Sequence, residues 1–257
     1  MKHLSILALL VFVALFSCNK DNDESPGHGD MATPPESILR MQPVFGSTNL
    51  KLDSVYTLSN GFEVKIIELK AYFTDIQAGG NTLKDAALFD FRLHGDLVFD
   101  VTGIGPGAST FIQFGIGVPG TINHNDPSLF PASNPLNIAI ANDMHWDWNP
   151  GYIFFKVEAK VDTIADGITN CDHNLVYHVG TDGYYTSKTV NNIQWTQSDG
   201  VSTKLFNSRL KLDMKNFFEN PGSPIDVKTE FTTHSMASQS ALTEKVRQNF
   251  AASISAL

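Results

Sequence analysis

The chain has 257 residues, 18 Lys and Arg against 27 Asp and Glu, and a formal net charge of −9. That balance repels a phosphate backbone and argues against nucleic acid as a partner. It also gives anionic lipid no hold on the chain unless an anchor is present. With two cysteines in all and, as argued next, one of them spent elsewhere, no disulfide framework holds the fold, so a hydrophobic core has to do so.

Lys2 and His3 precede an apolar run from Leu4 to Phe16. The run is shorter than the roughly 20 residues a membrane-spanning helix needs, and its position marks residues 1–17 as a cleavable export signal. The sequence Leu15-Phe16-Ser17-Cys18 resembles a bacterial lipobox, which makes Cys18 the expected site of lipid attachment. Residues 18–40 open on Asp, Asn, Glu, Ser, Gly and Pro with little apolar content, and read as a disordered acidic tether. The cluster Lys20-Asp21-Asn22-Asp23-Glu24 resembles the export tags of Bacteroidetes surface lipoproteins, and an ordinary soluble linker looks the same. The expected location is therefore the outer membrane, facing the periplasm or the cell surface. Residues 41–257 remain for one domain, long enough for a single sizeable core.

Strands dominate that domain. Phe62, Val64 and Ile66 alternate with Glu63, Lys65 and Ile67 at a period of two. Leu88 to Phe99 and Thr110 to Val118 follow, separated by Gly103-Ile104-Gly105-Pro106-Gly107, whose proline and lack of a following helix rule out a phosphate-cradling loop. Asn123-His124-Asn125-Asp126 is rich in oxygen donors and is a weak calcium candidate; it lacks the acidic ladder of a calcium loop, so a turn is the competing reading. A short helical turn is expected near Pro135 to Ala141.

Next comes the densest feature of the chain, Met144-His145-Trp146-Asp147-Trp148-Asn149-Pro150-Gly151-Tyr152. Tryptophan seeks burial with its N–H paired, whereas Asp147 and the Asn-Pro-Gly turn seek the surface. The two demands meet in a cleft or a site. Tyr152 to Val161 then shows the clearest alternation, with Ile153, Phe155, Val157, Ala159 and Val161 on one face and Lys156, Glu158 and Lys160 on the other. Cys171 and His173 form a Cys-x-His pair suited to a soft metal, against the plainer reading of a half-buried small residue. Strands over Leu175 to Gly180, Tyr184 to Val190 and Thr203 to Asp213 complete the set. At the end, Leu242, Val246 and Phe250 recur every four residues, a helix with Ser238 or Ser240 as its cap. The expected fold is an all-β antiparallel sandwich with a C-terminal α-helix.

The run M-H-W-D-W-N-P-G-Y-I-F-F-K-V-E carries a family resemblance, supported upstream by G-F-E-V-K-I-I-E-L-K-A-Y-F-T-D-I-Q-A, F-G-I-G-V-P-G and N-H-N-D-P. Downstream, Y-H-V-G and the T-H-S-M of Thr233 to Met236 extend it. From about Met41 onward the chain resembles the MbnP-like family, exported copper-binding proteins associated with methanobactin gene cassettes, many of them Bacteroidetes lipoproteins. The resemblance implies a β-sandwich that holds copper through histidines and a tryptophan oxidised to kynurenine, with a diheme peroxidase as the associated oxidant. Carried onto this chain, it implies His145 and His178 as imidazole ligands and Trp146 or Trp148 as the oxidised residue.

The chemistry agrees with that implication. Copper prefers imidazole and soft sulfur to carboxylate, and unmodified indole is a poor ligand because its nitrogen lone pair belongs to the ring. Each candidate has a competing structural reading. His145 is a ligand or a satisfied packing histidine. His178, in a simple hairpin, falls opposite about Val157, roughly 17 Å along the strand from the aromatic turn, so a shared site needs the turn to fold back. His234 and Met236 close the site from the chain's end or sit in an exposed connector; Met144 is a weak axial sulfur or a gap filler. His94 and His124 have no partner pattern. No catalytic motif is present, and Asp143 and Asp147, which could face each other as a glycosidase pair does, need not point together within a turn. Three functions compete: copper capture or relay at the envelope, a macromolecular substrate docking a diheme peroxidase, and a surface glycan-binding or other interaction module.

Overall fold

In the computed structural model the described residues are 34–146, 151–199 and 204–257. The leader, Cys18, most of the tether, and Asp147, Trp148, Asn149 and Pro150 lie outside them. In chain order the strands are β1 (Glu36–Phe45), β2 (Thr48–Asn49), β3 (Val55–Thr57), β4 (Glu63–Ala78), β5 (Asn81–Asp90), β6 (Leu97–Thr102) and β7 (Phe111–Ile116). They continue with β8 (Ile153–Asp162), β9 (His173–Gly180), β10 (Thr186–Asn191), β11 (Thr196–Asp199), β12 (Lys204–Asp213), β13 (Thr232–Thr233) and β14 (Ile254–Ala256), and the C-terminal helix spans Ser240–Ser253.

These strands make two sheets. In the first, β12 lies on one edge of β1 while β6 and β2 lie on the other, and β11 and β14 line the far edge of β12. In the second, the long β4 is central. Ala71 pairs with both Phe89 and Phe155, and Phe73 with both Ala87 and Ile116, so β8 and β7 follow one another along one edge while β5 takes the opposite edge. β9 pairs with β8, β10 with β7, and β13 with the outer edge of β9.

An all-β sandwich with a C-terminal helix is what the alternation predicts. Its sheets are mixed, however: β1 runs parallel to β12 and β13 parallel to β9, which corrects the wholly antiparallel expectation. Strand direction between partners far apart in the chain leaves no trace in local alternation. β1 also starts at Glu36, upstream of the Met41 boundary, because Leu39 and Met41 alternate into the core while Ser37 is buried at the strand's start. The expected strand Leu88 to Phe99 is two strands divided by a helical turn, Phe91–His94, where the Asp90 carboxylate accepts from the N–H groups of Arg92 and Leu93. Neither Ser238 nor Ser240 caps the last helix; Gln239 occupies that position without a side-chain cap bond.

The inner faces supply one core, with Val64, Phe73, Phe89, Phe155, Val157 and Tyr177 from one sheet against Leu39, Met41, Leu210 and Leu212 from the other. The C-terminal helix joins it by stacking Phe250 on Phe155, ring centroids 4.2 Å apart and nearly parallel. A second, smaller cluster matters more for function. On the outer face of the β4 sheet, the long β7–β8 connection covers Tyr72, Ala86 and Phe154 with Val118, Leu136, Ala141, Met144, Trp146 and Tyr152. It begins at Gly117, whose φ of +105° suits glycine and where any side chain would run into the Phe154 ring. The connection is thus a layer of its own, and the aromatic turn is its last part.

Candidate metal centre

β8 and β9 form a plain hairpin in which Lys156 faces His178 and Val157 faces Tyr177. This is one residue from the register expected of a simple hairpin. Leu175, Tyr177 and Val179 point into the core, so His178 and Gly180 share the outer face. At the other edge of β9, Thr233 of β13 lies level with Tyr177. His234 follows, and its ring meets that of His178 edge to face with centroids 5.0 Å apart.

The local chain holds this arrangement. Ser235 Oγ accepts from the Gly180 N–H at 3.0 Å and donates to the His178 carbonyl at 3.3 Å. The His234 N–H donates to Gln239 Oε1, and Thr233 is pinned by a buried hydroxyl contact with Thr243 of the C-terminal helix at 2.6 Å. His178 Nε2 lies 2.8 Å from Glu158 Oε1, its neighbour across the hairpin. That hydrogen bond from His178 lowers the Glu158 carboxyl against the upward push of burial. His234 is pushed down by burial and by the nearby His178. Its neutral form, the one with a lone pair to give, is thereby favoured.

The aromatic turn arrives from the other side. His145 is extended and pairs with Tyr152 as an isolated bridge, and the Trp146 N–H donates to the Gly151 carbonyl at 3.1 Å. Successive side chains of an extended segment point in opposite directions. His145 accordingly sets its ring edge against Tyr152, centroids 5.1 Å apart, whereas Trp146 lays its six-membered ring over Gly180, where a Cβ would stand 2.5 Å from it. The indole therefore rests two residues along β9 from His178. Folding back of the turn, which the hairpin spacing requires for a shared site, is what the β7–β8 layer accomplishes.

The family model for MbnP matches residues 35–238. The chain belongs to the MbnP family. A solved structure, MbnP from Methylosinus trichosporium, is similar at 19% identity over 72% of this chain and 78% of that one, with a TM-score of 0.44. No curated protein gives a significant match.

For this MbnP family member, the donor set bears on whether copper fits. Imidazole nitrogens bind such ions at about 2.0 Å, so two rings on one ion stand roughly 5 Å apart between centroids, the spacing of His178 and His234. Two imidazoles with one carboxylate behind them suit copper and do not suit calcium. Among the described residues no group of three or more His, Cys, Asp or Glu is gathered as a metal cage; His178 and His234 are a pair of imidazoles. Trp148 lies outside the described residues.

The other candidates are placed as follows. Met144 is wholly buried in the outer cluster, in the position of a packing residue, and Met236 is half exposed beyond His234. Asn123 of the oxygen-rich loop donates to Asp182 and accepts from the Tyr152 N–H; His124 contacts Asp182, and Asp126 caps the turn at Ser128. Those groups serve turn geometry. Cys171 is half-buried, and burial pushes its thiol up, away from the reactive thiolate. Glu158, which contacts His178, was not legible as a site residue in the sequence. The polar face of β8 named Glu158 as outward, but only the hairpin register put it beside His178.

Proposed function

We propose that this protein is an exported, lipid-anchored member of the MbnP family that binds copper for capture or relay and catalyses no reaction of its own. The observation that carries the reading is the facing of His178 and His234, with Glu158 behind one ring and Trp146 over Gly180 two residues along β9. His178 and His234 are the residues that would hold the metal. Glu158 orients the His178 imidazole in the manner of carboxylates behind metal-bound histidines. Bound copper would supply a redox-active centre at the rim of the sheet, and the facing His178 and His234 rings support that reading. His145 sets its ring against Tyr152, opposite in direction to Trp146, so it is not among the residues that would hold the metal with His178 and His234.

The test is copper content and copper(II) affinity of the full chain, wild type against His178→Ala, His234→Ala and His145→Ala. Loss of stoichiometric binding in the first two supports the proposal, and unchanged binding in both refutes it. A second reading, a substrate docking a diheme peroxidase, is favoured by the position of Trp146, since oxidative opening of its ring would create amine and carbonyl donors over Gly180, two residues along β9 from His178. Peptide mass mapping of the segment containing Trp146 and Trp148, on protein from its own host, decides it; the absence of any oxygen gain counts against this reading.

A further inference from the structure

Two lysines face each other directly across neighbouring strands, Lys70 of β4 and Lys156 of β8. Both are nearly out of solvent, with side chains 11% and 7% exposed. Like charges set directly opposite destabilise a sheet, and an unpaired buried ammonium costs far more than an exposed one. The strands themselves bring two carboxylates, Glu68, at 2.7 Å from Lys70 and 3.5 Å from Lys156, and Asp90, at 3.4 Å from Lys70 alone. The remaining carboxylate comes from outside the sheet. Asp143, in the β7–β8 layer, takes hydrogen bonds from Lys70 on both oxygens at 3.0 and 2.9 Å, and from Lys156 at 2.8 Å.

Asp143 stands one residue before Met144 and three before Trp146. Its second lysine, Lys156, is the residue that faces His178. The ion pairs and the imidazole pair therefore lie on one continuous strip of the sheet, running from β4 through β8 to β9 and β13.

We infer that Asp143 is a positioning residue, an electrostatic latch that fastens the Met144–Trp146 end of the aromatic turn to the Lys70–Lys156 pair and so sets Trp146 over Gly180, two residues along β9 from His178. The inference deepens the copper reading and rests on it for the latch's purpose, but the latch is tested without metal. The apolar contacts of Met144 and Trp146 hold the turn to the sheet in general; the bidentate carboxylate fixes where along the sheet it sits. Removing the charge while keeping the shape should leave the layer folded and let the indole shift.

The experiment uses full-length protein with Trp148→Phe and Trp195→Phe, so that Trp146 is the only indole. In the metal-free protein, acrylamide quenching of Trp146 is compared among Asp143, Asp143→Asn and Asp143→Glu. The expected result is stronger quenching in Asp143→Asn, moving toward that of unfolded chain, with the Asp143→Glu carboxylate restoring protection. Should Asp143→Asn lose its tertiary fold, Lys156→Met, which keeps bulk and drops one cation, takes its place with the same expectation. Quenching unchanged from the parent in a folded variant overturns the latch. Absence of copper binding in the wild type would sink the proposed function and leave the quenching result standing on its own.

Discussion

Gly180→Ala tests the packing on which the site depends. Gly180 has no positive φ that would require glycine, so its missing side chain matters for space alone. An added Cβ would lie 2.5 and 2.6 Å from the Trp146 ring and 2.6 Å from the Tyr152 carbonyl oxygen, against the roughly 3.5 Å or more that carbon contacts need. The ring could swing away, but Tyr152 is backbone, held by Asn123 at its N–H and by the bridge to His145. Overpacking of this kind costs about 1 to 3 kcal/mol, and the immovable backbone oxygen puts this case at the upper end, about 3 kcal/mol. For a domain of this size that is a fall in Tm of roughly 6 to 12 °C. Urea unfolding followed by far-ultraviolet circular dichroism reads the loss. Gly183→Ala is the control, since nothing stands within 4 Å of its Cβ position. In a Trp146→Ala background the cost of Gly180→Ala should shrink, leaving only the clash with Tyr152. The reasoning fails if Gly180→Ala stays within about 0.5 kcal/mol of wild type, the range of an inert surface change, or if its cost is the same in both backgrounds.

Three further outcomes are expected. Burial alone would raise the Asp143 carboxyl, but the Lys156 and Lys70 ammonium groups outweigh it and hold it at about 2, below its ordinary 3.8. A depressed carboxyl stabilises fully above its unfolded value and loses that contribution as pH falls from about 4 through 2. Because the side chain is 40% exposed, solvent screening reduces the effect to about 1 kcal/mol, and acid titration of stability should be correspondingly flatter over that window in Asp143→Asn than in wild type. Glu158→Ala should weaken copper affinity by roughly 10-fold or more, as loss of a carboxylate behind a metal-bound histidine does, while Glu158→Gln, whose amide oxygen still accepts from the ring, retains most of it; equal losses in the two would refute the orienting role. Phe250→Ala removes a fully buried ring stacked on Phe155 and should cost about 3 to 5 kcal/mol, read as a denaturant midpoint shift with copper stoichiometry preserved in the folded fraction.

Much of the frame was legible in residue order. The alternation of β8 named its faces from Phe155 onward, with Phe155, Val157, Ala159 and Val161 buried in the core and Lys156, Glu158 and Lys160 opposite; Ile153, expected on the core face, lies instead in the outer cluster with Phe154, because the register shifts between Ile153 and Phe155. Leu242, Val246 and Phe250 marked the last helix by their spacing. The aromatic turn announced itself through the conflict between indoles that seek burial and an Asn-Pro-Gly bend. Where the reading fell short, the deciding contacts were remote. Ser37, Leu39 and Met41 alternate as well as any strand, yet the polar stretch before them drew the tether boundary past the strand's start. Asp90 and Gly95 break the apolar run between Leu88 and Phe99 through a cap, a side-chain-to-backbone bond that a hydrophobic pattern does not display.

By itself the sequence determined the kind of fold and the chemical inventory: strand periodicity, a closing helix, an acidic chain, and indoles confined to its second half with a histidine beside two of them. These follow from short-range rules, since side-chain alternation and turn preference act over a few residues. Tertiary structure alone decided which of those groups meet. His178 and His234 are 56 positions apart in the chain and touch because β13 adds, parallel, to the free edge of β9. Asp143 reaches Lys70 across 73 positions because the β7–β8 connection folds over the outer face of the sheet. Such pairings are set by edge hydrogen bonding and by burial of a second apolar layer, interactions whose partners lie far away along the chain and so leave no periodic signature in it.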